Sequence, residues 1–67
     1  MFITFNDKDG RYIRSASTID RVIWFDNEDI IKIYTRENVC STYRYPDAEC
    51  AEMAFDCIMR QLKGEIV

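Results

Sequence analysis

The chain has no histidine among its 67 residues. That removes the commonest general base, the commonest neutral metal ligand and every catalytic triad built on an imidazole. Proline occurs once and glycine twice, so the chain has no flexible linker or low-complexity stretch. No apolar run approaches the roughly 18 residues of a membrane-spanning helix. Met1–Phe5 lacks the basic start of a secretory signal, and Asn6–Asp7 interrupts it early. The three cysteines, Cys40, Cys50 and Cys57, are odd in number and spaced unlike a zinc knuckle or a CxxC pair. That pattern argues against a disulfide framework and for a reducing, cytoplasmic compartment. The expected role of the thiols is packing in the core or at an interface.

What is present fits one small folded domain spanning 1–67. Residues are 48% hydrophobic and 31% charged, a globular rather than a disordered balance. A domain this short buries only about 60% of the surface of its unfolded chain, which favours self-association. The net charge of −3 is unevenly placed. Residues 1–45 hold seven cations and seven anions, whereas 46–67 hold two and five. All net acidity lies in the C-terminal segment, the reverse of the usual nucleic-acid binder.

Alternation and turn chemistry predict strands over 2–6, 11–16, 22–25, 30–35 and 39–45. Asn6–Gly10 reads as a type I turn closed by a left-handed glycine. Asp26–Asp29 and Arg36–Asn38 read as the later turns, and Ser15–Asp20 as a corner held by side-chain hydroxyls and Asp20. Short connections predict one antiparallel meander of four or five strands. After Pro46, Asp47 is the expected N-cap of a helix over 47–63, with Gly64 as its stop. The fold class is α+β, with that helix packed on one face of the sheet.

Placed at about 100° per residue, Glu49, Glu52, Asp56, Arg60 and Lys63 form one polar stripe of roughly 80°. Asp56 and Arg60 are spaced as an i, i+4 ion pair. Ala48, Ala51, Ala54, Phe55, Ile58 and Leu62 form the face expected to meet the sheet. Cys50, Met53 and Cys57 lie on one flank and widen the apolar arc to about 240°, more than a surface helix needs. That flank is the expected homodimer interface. The sheet strands also carry large apolar groups on both faces, and one helix covers only one of them.

No cluster points to catalysis, a metal or a cofactor. Asp7–Lys8–Asp9–Gly10 begins like a calcium loop but lacks its later ligands, so it reads as a turn. Tyr12, Arg14, Tyr34, Tyr43, Arg44 and Tyr45 are the candidate nucleic-acid face, since aromatics on a sheet stack bases while arginines meet phosphates. Cross-strand aromatic pairing explains the same residues.

Asp9–Phe25, "DGRYIRSASTIDRVIWF", resembles in pattern the small flagellar FlbD-like proteins. Asp47–Leu62, "DAECAEMAFDCIMRQL", looks like the closing helix of short proteins from phages and mobile elements. The resemblance implies a small β-rich binding protein and transfers no functional residue. The expectation is a non-enzymatic interaction module, of the kind a phage or mobile element uses to inhibit a host system. Its acidic stripe (Glu49, Glu52, Asp56) would meet a basic partner. The alternatives are single-stranded nucleic-acid binding and a flagellar accessory role.

Overall fold

The computed structural model describes residues 1–64, as five strands and one helix: β1 (Phe2–Asn6), β2 (Arg11–Ser15), β3 (Ile19–Ile23), β4 (Ile30–Thr35), β5 (Cys40–Arg44) and α1 (Ala48–Lys63). The class is α+β, but the strands form two sheets rather than one meander. β1 and β2 make an antiparallel hairpin, and β3-β4-β5 make a separate antiparallel sheet. The break lies at Ala16–Thr18, which turns as a short 3-10 helix. There the Thr18 hydroxyl donates to Ser15 O at 2.8 Å, and the Ser15 and Ser17 hydroxyls lie 2.9 Å apart. Side chains that bond their own backbone compete with ladder formation, so the chain turns away before β3 can pair with β2. The hydroxyls hold the corner as expected, but Asp20 takes no part, its carboxylate meeting Arg21 instead. β3, however, begins at Ile19 rather than at 22 and ends before Trp24.

The first turn also differs in mechanism. Gly10 is not left-handed; among the described residues the positive-φ ones are Asn27, Asn38 and Gly64. Instead the Asp7 carboxylate accepts the Asp9 and Gly10 N–H groups at 2.8 and 3.1 Å, a turn closed by a side chain. Lys8 N–H then donates to Arg44 O at 3.1 Å, which fastens the hairpin tip to the end of β5.

α1 starts and stops where its local chemistry directs. The Asp47 carboxylate accepts Cys50 N–H at 2.8 Å, and Gly64 closes the other end at φ 75°. Those bonds to the helix N-terminus hold the Asp47 carboxyl below its usual range.

The core lies on one face of the three-stranded sheet. Ile31, Ile33, Tyr43 and Tyr45 point inward there, with Ile19 at the edge. α1 and the hairpin lie over that face. α1 contributes Ala51 and Ile58, and β1 contributes Ile3 and Phe5. Three rings join hairpin to sheet: the Phe5 and Tyr12 centroids each lie 4.9 Å from that of Tyr43 in edge-to-face contact. The Arg14 guanidinium donates to the Tyr43 hydroxyl at 2.7 and 3.2 Å. Trp24 packs on Phe55 of α1 and donates its ring N–H to Glu28 O at 2.7 Å.

Candidate functional site

Residues of β1 and β2 directly opposite each other share a face of the hairpin. Ile3, Phe5, Tyr12 and Arg14 face the core, so Phe2, Thr4, Asn6, Arg11, Ile13 and Ser15 face out. Phe2 and Ile13 are diagonal neighbours on that outer face and are 67% and 65% exposed. α1 runs along the free edge of β1. It is fixed there by Gln61, whose amide accepts Thr4 N–H at 2.8 Å and donates to Thr4 O at 2.7 Å. One side-chain amide thus imitates a neighbouring strand and closes that edge.

This arrangement leaves an open groove of about 510 Å³ between hairpin and helix, whose lining includes Thr4, Asn6, Arg11, Ile13, Ala54 and Cys57. The helix flank singled out in the sequence therefore meets the hairpin at Cys57 and Gln61. At Met53, 67% exposed, it stands clear in solvent. Cys50 and Cys57 are exposed too, as is Cys40, so none of the thiols fills the core. The hydrogen bond and charge of the neighbouring Asp47 carboxylate push the Cys50 thiol up, against the pull of the helix N-terminus.

Glu49, Glu52 and Asp56 are exposed along the helix. The expected Asp56–Arg60 pair does not form. Among the described residues the one ion pair is Asp20–Arg21, at 3.4 Å.

The six residues of the candidate nucleic-acid face do not share a face. Tyr43 and Tyr45 are buried, Tyr12 packs against Tyr43, and Arg14 is committed to the Tyr43 hydroxyl. Only Tyr34 and Arg44 point away from the core, on the outer face of the three-stranded sheet. Two residues missed in the sequence join them there, Arg21 and Lys32. The Arg21 guanidinium lies 4.2 Å over the Tyr34 ring. The signal for both was simple alternation along β3 and β4. For Arg21 it was obscured by the bulge between Ile19 and Arg21, which shifts the period of two. Phe2 and Ile13 were also missed, although each is an apolar residue on the polar side of an alternating strand.

Among the described residues no group of cysteine and carboxylate side chains converges as a metal site, and no helix is long and apolar enough to cross a membrane. Compared with known protein families, with curated proteins and with solved structures, the chain matches none.

Proposed function

We propose that this chain is a non-enzymatic protein-interaction module whose contact surface is the groove between the β1–β2 hairpin and α1. One observation carries the reading. Ile13, about two-thirds exposed, lines the groove with Cys57 and Ala54. Phe2, equally exposed, is its diagonal neighbour on the hairpin, and Met53, equally exposed, lies one helical turn before Cys57. Large apolar groups held in water around a concavity contribute nothing to the chain's own stability and mark a contact surface. Arg11 supplies a polar group at the groove, and Glu49, Glu52 and Asp56 are exposed on the same helix. The acidic stripe steers a basic partner toward the groove. In this reading the chain acts by occupancy, as a blocking inhibitor of a host system of the phage or mobile-element type.

The test is a pull-down with the tagged chain and its Met53→Glu and Phe2→Glu variants from lysate of the cells in which it is made. A single stoichiometric partner, recovered by the wild type and lost with both variants, is the expected result. A partner held equally by both variants, or none recovered by the wild type, overturns it.

A second reading, single-stranded nucleic-acid binding, has its own observation. Arg21, Lys32 and Arg44 sit on successive strands and in successive rows of the outer sheet face. Strand spacing and rise place their Cα atoms about 8 Å apart along a diagonal. Tyr34 lies beside that track, and no strand residue facing the same way is acidic except Asp20 at the bulge. Arg21→Ala and Arg44→Ala should each weaken retention of a labelled oligonucleotide and reduce its salt dependence. No retention by the wild type at low salt excludes this reading.

A further inference from the structure

The two edges of the β1–β2 hairpin are finished differently. Ala16 N–H donates to Met1 O and Asp7 N–H to Gly10 O, both at 2.9 Å. With the register Ile3↔Arg14 and Phe5↔Tyr12, these bonds set the ladder's parity: odd residues of β1 bond to even residues of β2. The backbone groups of Phe2, Thr4 and Asn6 therefore point outward on one edge, and those of Arg11, Ile13 and Ser15 point outward on the other. Gln61 closes the Thr4 edge. On the β2 edge, only the Ser15 carbonyl has a partner among the described residues, the Thr18 hydroxyl. The N–H and C=O groups of Arg11 and Ile13 face solvent beside the exposed Ile13 side chain. Sheets normally blunt such an edge with a charge, a proline or a cover. This chain covers the β1 edge with the helix at Thr4 and puts no element over the β2 edge.

We propose that β2 is a self-association edge. Two copies pair β2 against β2, antiparallel, about a two-fold axis at Ile13, and the two hairpins become one four-stranded sheet. A second copy is the occupant because the strand is complementary to itself in this register. Ile13 meets its own counterpart, Arg11 faces Ser15, and Tyr12 faces Arg14, so no like charges are opposed. Each Arg14 comes beside a tyrosine ring, a pairing the chain already makes between Arg21 and Tyr34. The outward-pointing residues exchange both ladder bonds, and the Ser15 carbonyl accepts one with its second lone pair. Sliding the pairing by two residues shortens the ladder, and one such slide sets Arg14 against Arg14. Arg11, Tyr12 and Ile13 also line the groove, so this pairing shares its β2 side with the proposed contact surface, and the mass measurement and the pull-down keep the two tests apart.

Light scattering on the full chain decides it. The molar mass is expected to rise with concentration from 8.0 kDa to twice that value. Ile13→Lys, which sets two ammonium groups face to face at the axis, should remain at the monomer mass with unchanged circular dichroism. Met53→Glu, on the helix flank, should still double. A covalent readout guards against a misfolded lysine variant. In a chain with Cys40, Cys50 and Cys57 changed to serine, Ile13→Cys places two thiols on residues whose Cα atoms lie about 5.5 Å apart, within disulfide reach. Mild oxidation should convert it to dimer, whereas Asn6→Cys, on the other edge, should stay monomeric. A wild type that keeps the monomer mass at every concentration overturns the proposal. So does a dimer that survives Ile13→Lys or is lost on Met53→Glu. A monomeric wild type leaves the groove reading untouched, and a partner retained by the groove variants leaves the mass measurement untouched.

Discussion

Tyr45 is the one side chain in the described structure whose polar atom is buried without a hydrogen-bond partner. Burial, helped by the nearby charge of Asp7, pushes its phenol up to about 12. The unfolded chain releases that proton near 10, while the folded chain keeps it. The stability linked to this group is therefore intact below about pH 10 and is lost as pH rises from about 10 to 12. Tyr45→Phe removes a hydroxyl that has no partner, so it should leave the urea midpoint at pH 7 unchanged or raise stability by up to about 1 kcal/mol. It should also flatten part of the alkaline loss. The Tyr12 phenol is likewise raised, by desolvation and by Asp7. A Tyr45→Phe protein with the full wild-type loss between pH 10 and 12 would contradict this assignment.

Among the elements, β1 depends on a single side chain for its free edge. Gln61 holds both backbone groups of Thr4, and each such bond contributes about 0.5–1.5 kcal/mol net. Gln61→Ala should cost about 1–2 kcal/mol by urea denaturation. It should also speed hydrogen exchange at Thr4 N–H while leaving Ile33 in the central strand protected. Unchanged exchange at Thr4 would show that the helix backbone, rather than the amide, covers the edge. Nothing in the sequence marked this contact, because it joins residues 57 positions apart and glutamine on a helix usually reads as solvated surface. α1 itself was legible almost to the residue, since Asp47 and Gly64 act on backbone groups within one turn of themselves.

For the whole molecule, Tyr43 is the joint between hairpin and sheet. Its ring meets Phe5 and Tyr12, and its hydroxyl accepts from Arg14. Truncating a buried ring costs about 3–5 kcal/mol, and a 67-residue domain holds only about 3–10 kcal/mol in all. Tyr43→Ala should therefore unfold much of the population at 25 °C, measured by circular dichroism. Tyr43→Phe, which keeps the rings and loses only the Arg14 anchor, should remain folded at a cost of about 1–2 kcal/mol. Equal stability of the two variants would mean that the hairpin is held by something other than this cluster.

The tyrosines also show how far the sequence could carry the candidate site. Alternation along β5 correctly put Tyr43 and Tyr45 on one side and Arg44 on the other. Which of those sides faces water was beyond it, so buried and exposed aromatics were grouped together. The cysteine flank was legible as surplus apolar surface, but its neighbour, the outer face of the hairpin, was not.

The sequence by itself determined the elements of this protein: four of the five strands in place, the helix with both its ends, and the punctuation between them. Those are local choices, made by alternation, capping and turn chemistry within a few residues. Only the tertiary structure decided how the strands divide. The hydroxyl-held turn at Ala16–Thr18 separates β2 from β3, and the hairpin then folds over Tyr43 instead of extending the sheet. Burial of Ile3 and Phe5 against residues far along the chain drives that choice, and because burial is non-directional, alternation marks which face is buried but not which surface it meets.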